Sequence, residues 1–364
     1  MKLSRLNQRR WDIFKSNRRG FWSFWIFAVL FFMSVFAPFI ANDRPILASY
    51  KGELLYPTFI DYPEAKFGGF LARTNYRDPF NQEEIEANGW MVWPPIRYSY
   101  NTANAELPMP APSRPAFRMD REMACAKYEK GVADVNCSFG NLNWLGTDDQ
   151  GRDVITRLIY GFRISVAFGL ILTVLSSIIG MVAGAVQGYF GGWTDLLFQR
   201  FIDIWSSLPT LYLLIILAAL ITPTFWILLF VLVLFSWTGL VGLVRAEFLR
   251  ARNFEYVRAA RALGLSDARI MFKHLMPNAV VSTLTMMPFI LSGSVTTLTA
   301  LDFLGFGLPP GSPSLGELIA QGKNNLQAPW LGLTGFFVVS VMLTLLVFIG
   351  EAVRDALDPR KTFR

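Results

Sequence analysis

Ile164-Ser-Val-Ala-Phe-Gly-Leu-Ile-Leu-Thr-Val-Leu-Ser-Ser-Ile-Ile-Gly-Met-Val-Ala-Gly-Ala-Val-Gln-Gly-Tyr189 carries no charged residue from end to end. As an α-helix at 1.5 Å per residue it is about 39 Å long, more than the roughly 30 Å hydrocarbon core of a bilayer. Gly180, Gly184 and Gly188 recur at every fourth position, which leaves three places without side chains on one helix face. In lipid, such a face permits close helix approach. Two readings stand: packing inside this subunit, or a tight contact beside a moving path.

Five more apolar stretches flank this one, at residues 21–41, 198–221, 225–244, 279–301 and 330–350. The whole chain agrees with them. Of its 364 residues 53% are hydrophobic and only 17% charged, against about 25% charged in a typical soluble protein. Mean hydropathy is +0.36. An ordinary cytosolic enzyme, a disordered regulator and a small disulfide scaffold are excluded. The expectation is an all-α polytopic membrane protein with six transmembrane helices and one large non-membrane part.

The charges orient it. Residues 1–20 hold Lys2, Arg5, Arg9, Arg10, Lys15, Arg18 and Arg19 against one acid, Asp12. A signal peptide would have an apolar region of about 7–15 residues and a small-x-small cleavage site. The run at 21–41 is longer and closes Ala-Pro-Phe-Ile-Ala-Asn-Asp, so a retained span with the basic tail inside is expected. Six crossings return the C-terminus to that side. The segment 245–278, with Arg245, Arg250, Arg252, Arg258, Arg261, Arg269 and Lys273, and the tail 351–364, with Arg354, Arg360, Lys361 and Arg364, are expected to be cytoplasmic. The net charge of +7 is thus explained by the positive-inside rule.

Residues 42–150 are the large extramembrane segment, expected outside, and 151–163 an interfacial helix. The segment has 11 Lys/Arg against 15 Asp/Glu, which speaks against a nucleic-acid partner. Rich in Pro and aromatics, it reads as an irregular, partly β insertion. It holds both cysteines, Cys125 and Cys137. Outside the cytoplasm they are expected to form a disulfide worth on the order of 2–3 kcal/mol; two buried free thiols are the alternative. Asp148-Asp149-Gln150-Gly151 lacks the alternation of an EF-hand loop and reads as a cap for the helix entering the second span. There is one histidine, His274, so a His-rich metal site is excluded, and neither a catalytic nor a metal-binding residue is assigned.

Within the spans, Pro209, Pro223 and Pro288 are sites for breaks or kinks. Arg200 and Asp203 are spaced to pair on a helix. Ser292, Ser294, Thr296, Thr297 and Thr299 make the fifth span polar, either through bonds to neighbouring carbonyls or by lining a wet path. No span has a central run of Asp, Glu or Lys, which disfavours an ion-coupled or stand-alone secondary transporter, the alternative to the reading below.

The segment Asn253-Phe-Glu-Tyr-Val-Arg-Ala-Ala-Arg-Ala-Leu-Gly-Leu-Ser-Asp-Ala-Arg-Ile-Met-Phe-Lys-His-Leu-Met-Pro277-Asn278 reads as two short helices around a glycine elbow. Asn253 is placed to cap the first, Gly264 to end it in the left-handed conformation, Ser266 to cap the second, and Pro277 to stop it. Ala259, Ala260 and Ala262 leave room for a partner, and the arginines favour an acidic rim on it. An amphipathic helix on the membrane surface satisfies the same pattern.

Tyr256-Val257 and Ala259-Ala260-Arg261-Ala262-Leu263-Gly264, followed by Pro277-Asn278, resemble the coupling loop of ABC importer permeases, in particular the C-type subunit of the dipeptide/oligopeptide permease family. Leu145 to Asp153 with Arg157 to Gly161, Asp302 to Leu308, and Asp355 to Arg360 resemble that family's other signatures in order. The long insertion is similar to the family's larger-loop, Yej-type branch. Arg258 departs from the broad pattern, which has an acid there. The resemblance implies a type I ABC importer permease fold in a bacterial inner membrane, with Glu255 to Gly264 resting on an ATPase. It also implies ATP and Mg on separate ABC ATPase subunits, a second homologous permease subunit and a periplasmic peptide-binding protein. The absence of a G-x-x-x-x-G-K-[ST] phosphate loop in the sequence fits that division.

Overall fold

The computed structural model describes residues 5–104, 107–124 and 139–358, with the side chains of 121 and 122 outside the description. Cys125 and Cys137, and with them the expected disulfide, lie outside the described residues. The chain divides into two compact units. One comprises Met1–Val29, Ser165–Pro309 and Ser340–Arg364; the other comprises Leu30–Ile164 and Pro310–Val339.

In chain order the elements are α1 (Arg5–Ser16), α2 (Arg18–Val35), α3 (Ala37–Ile40), β1 (Leu47–Tyr50), β2 (Glu53–Leu55), α4 (Pro79–Ala87), β3 (Gly89–Val92) and α5 (Arg121–Ala124). They continue with α6 (Val154–Phe190), α7 (Gly192–Ser206), α8 (Thr210–Leu220), α9 (Phe225–Ser236), α10 (Thr238–Ala251) and α11 (Glu255–Ala262). After α12 (Asp267–Arg269) comes a wide π turn, Ile270–Leu275, then α13 (Met276–Leu304), α14 (Leu315–Asn324) and α15 (Pro329–Leu357). Five helices or helix pairs among the described residues are long and apolar enough to cross a membrane, or six if the bent pair α7–α8 is one span.

Three departures from the expected segmentation have local causes. The interfacial helix 151–163 and the second span 164–189 are one helix, α6, because nothing between Val154 and Phe190 breaks it. The span expected at 198–221 is two helices bent by 59°. Pro209 has no N–H to continue α7 and pushes Leu208 toward extended backbone. Pro277 does not stop a helix: it sits in the first turn of α13, just after the π turn. There the Met276 N–H reaches back five residues to the Met271 carbonyl, and the wider ring gives the proline room against the turn before it.

In the first unit, α6 meets α10 along the glycine face. A Cβ at Gly180, Gly184 or Gly188 would lie 2.6, 2.7 and 2.6 Å from the carbonyl oxygens of Trp237, Val241 and Arg245. Both triplets step by four residues, so two helix backbones run in contact inside this chain. Four of the five hydroxyls of the fifth span bond back along α13: Ser294, Thr296, Thr297 and Thr299 donate to the carbonyls four residues earlier, at 2.8–2.9 Å, while Ser292 Oγ is buried without a hydrogen-bond partner. Arg200 and Asp203 pair at 3.5 Å, both exposed.

The second unit contains a three-stranded antiparallel sheet, order β2-β1-β3. β1 and β2 are joined by Lys51-Gly52, both at positive φ, as a two-residue hairpin turn with native twist requires. Ala48, Tyr50, Leu55, Phe67, Tyr76 and Ile85 form its core. Glu64, buried beside it, accepts hydrogen bonds from the Phe70 and Leu71 N–H groups and the Asn81 amide.

Candidate functional site

α11 begins after Phe254, which holds extended backbone and offers no side-chain cap; Asn253 lies one residue too early for the capping expected of it. Glu255 in the first turn and Arg261 in the last match the ends of the helix dipole. The helix presents one inward edge. Val257 and Ala260, three residues apart, are buried and pack with Ala185 and Tyr189 of α6, Val244 and Phe248 of α10, and Ile270, Met271 and Leu275 of the π turn. Glu255, Tyr256, Arg258, Ala259, Arg261, Ala262 and Leu263 face outward, Leu263 at 82% exposure. Ala260 therefore belongs to the seat, not to the partner-facing surface where the sequence reading placed it.

The C-terminal end is closed by a Schellman motif. Gly264 has φ +75°, its N–H donates to the Arg261 carbonyl at 2.9 Å, and the Leu265 N–H donates to the Ala260 carbonyl at 3.2 Å. Ser266 stands at the start of α12, without a side-chain capping bond.

Polar clamps hold this seat. Tyr189 Oη donates to Asp267 at 2.5 Å, and the Arg261 guanidinium lies 5.0 Å from the Tyr189 ring centre. Arg252 Nη1 donates to the Gly188 and Tyr189 carbonyls at 3.4 and 3.3 Å. Arg245 grips Asp195 with both arms of its fork, at 2.5 and 2.6 Å. The loop is thus tied to the ends of α6, α7 and α10. The pairings of Tyr189, Asp195, Arg252 and Asp267 were not legible in the sequence, because partners 50 to 78 residues apart share no local pattern. His274 is half-buried in the π turn.

The other signatures build structure around the spans. At the start of α6, Arg152 pairs with Asp148 at 2.6 Å and Glu317 at 3.1 Å, and the fully buried Arg157 reaches Glu317 at 2.8 Å and the Ser312 carbonyl at 3.1 Å. Asp148 is thus an ion-pair centre. The capping expected of the Asp148-Asp149 pair is done by Asp153, which accepts from the Thr156 N–H at 2.8 Å. Burial pushes the Asp153 carboxyl above its ordinary range, opposed by the Asn143 amide and the Thr156 donors. After α13, Gly305 at φ +83° ends the helix, and Asp302 accepts from the Leu308 N–H at 2.7 Å. Of the C-terminal signature, Asp355 to Asp358 are described and close α15; Pro359 and Arg360 lie outside the described residues. Among the described residues no group of three or more His, Cys, Asp or Glu is arranged to hold a metal ion.

Residues 176–363 match the family described as binding-protein-dependent transport system inner membrane component, and residues 5–57 match the N-terminal TM domain of oligopeptide transport permease C. The chain is 69% identical over 357 residues to a peptidoglycan transport system permease protein YejE of Agrobacterium fabrum, covering 98% of this chain and 94% of that one. It is 54% identical to the inner membrane ABC transporter permease protein YejE of Escherichia coli, with 99% of each chain covered. An oligopeptide transport system permease protein OppC of Lactococcus lactis is 36% identical over 62% of this chain and 78% of its own. Among solved structures, an inward-facing MetNI methionine ABC transporter chain is similar at 17% identity and a TM-score of 0.46, over 56% of this chain and 96% of that one.

Proposed function

The chain belongs to the family of binding-protein-dependent transport system inner membrane components, and we propose that within an ABC importer it is the permease subunit that carries peptides or peptide-like compounds across the membrane. The observation that carries the coupling part of this reading is α11. It is short, closed at its C-terminal end by a Schellman motif, seated on three other elements by Val257 and Ala260, and free along its outer face from Glu255 to Leu263.

Such an element transmits a push. A helix that rests in a groove on an ATPase and is seated on α6 and α10, with α10 in turn clamped to α7, would pass a displacement to those helices rather than absorb it. Alternating access between inward and outward openings is the mechanism this serves. ATP hydrolysis with Mg falls to separate ATPase subunits, so this chain carries no catalysis of its own. A second, homologous permease would complete the path, and a periplasmic peptide-binding protein would deliver the substrate. In this reading both termini and the 245–278 loop are cytoplasmic and the 42–150 insertion is periplasmic.

The test is purification of the tagged chain from its native membrane in mild detergent, with identification of what accompanies it. An ABC ATPase and a second permease in comparable amounts support the proposal. Recovery of the chain alone, still transporting after reconstitution without ATP, would overturn it in favour of a stand-alone carrier.

A further inference from the structure

Among the cations of α1, Arg5, Arg9 and Lys15 face outward. Arg10 instead lies half-buried on the face that carries Ile13 and Phe14 inward. Its Nε is buried and has no hydrogen-bond partner, and among the described residues no ion pair reaches it. A buried donor left without a partner is unfavourable, the more so on a charged group. An arginine on a packed face without an anion is therefore incomplete on its own.

The missing anion has a place to sit. Arg10 lines an open cavity of about 620 Å³, inside the range of roughly 300–1,000 Å³ typical of small-molecule sites. Apart from Asn7 and Arg10 the walls are apolar: Trp11 and Phe14 of α1, Leu284 and Pro288 of α13, Ile349 of α15. The walls are held together close by. Phe14 packs on Ala352 and Ala356, and a Cβ at Gly20 would meet the Ala352 Cβ at 2.2 Å.

One cation at the edge of an apolar trough suits a molecule with an anionic end and a long hydrocarbon body. A small soluble anion would leave the trough wetted, and a peptide would bring backbone groups that the walls cannot satisfy. The depth is also right. Trp22 and Trp25 on the neighbouring α2 are exposed, and such side chains mark the headgroup level of a bilayer. We propose that this cavity is a site for one anionic phospholipid, its phosphate on Arg10 and an acyl chain along the Trp11–Leu284 wall. The proposal needs only that the chain resides in a membrane, so it stands or falls separately from the coupling role of α11.

The experiment is native mass spectrometry of the full chain in its complex, titrated with phosphatidylglycerol or phosphatidylethanolamine. One phosphatidylglycerol should be retained in preference to phosphatidylethanolamine. Arg10→Gln should weaken retention roughly tenfold, as expected for one charge-assisted hydrogen bond, and Arg10→Lys should restore part of it. Arg9→Gln, on the exposed face, should leave it unchanged. Met287→Trp, which fills the trough without touching the cation, should weaken both lipids. Equal retention by the Arg9 and Arg10 variants, or no preference for the anionic lipid, overturns the proposal. So does Trp11→Cys cross-linking to another protein chain, because the trough is then a protein interface.

Discussion

Gly264 shows what a single residue contributes. At φ +75° most L side chains cost roughly 1–2 kcal/mol in the left-handed conformation, Asn less because its short amide bonds locally, and proline is excluded by its fixed φ. Gly264→Asn should therefore be tolerated, while Gly264→Val should loosen the end of α11. The readout is hydrogen exchange of the Gly264 and Leu265 amides, which donate into that turn; equal protection in both variants would contradict the assignment. Glu64 gives a pH prediction. The Asn81 amide and the Leu71 and Phe70 N–H groups hold its carboxyl below the ordinary 4.5, against the effect of desolvation. A carboxyl lowered on folding contributes stability above its unfolded value, and that contribution is lost as pH falls through the folded one. Protection of the amides at positions 70 and 71 should fall selectively below about pH 4.5 and should be insensitive to pH in Glu64→Gln. Gly264 was legible from the sequence because its signal is local. Glu64 was not, because its donors arrive from positions 70, 71 and 81.

At the scale of elements, the two faces of α11 make opposite predictions. Ala260→Leu overpacks the cluster under the helix and should destabilise the protein by about 1–3 kcal/mol, visible as a lower melting temperature. Ala259→Trp, on the outer face, should leave melting within about 0.5 kcal/mol of the parent but abolish stimulation of the partner ATPase. If Ala260→Leu melts normally, or Ala259→Trp retains full coupling, the assignment of faces is wrong. The sequence displayed the alanines but not which of them face inward; that depends on where α6 and α10 stand. The long apolar helices were legible because burial in lipid demands long apolar runs, while whether the bent pair α7–α8 counts as one span was not. The breaks were less so. Pro209 broke its span and Pro288 did not, since α13 continues through it, and the outcome depends on neighbouring turns rather than on the residue.

The whole molecule adds what no stretch contains. The Arg152–Asp148–Glu317–Arg157 network joins residues 160 positions apart, and the sheet closes on strands of three and four residues, too short for alternation to be visible in the sequence. The charge distribution, by contrast, was fully legible, because it is a sum over the chain and requires no geometry.

The π turn at Ile270–Leu275 has a consequence for insertions and deletions. A wide turn within a helical path holds one residue more than an α-helix needs. Removing one residue inside it should convert it to ordinary α geometry while α13 keeps its rotational phase. The same deletion within α13 would swing everything beyond it by about 100°, the angle per residue of an α-helix, and carry Ser294 and Leu298 out of their packing. Permeases with the first deletion should still assemble, and those with the second should not, so length variation in this subunit is expected to concentrate at that one turn.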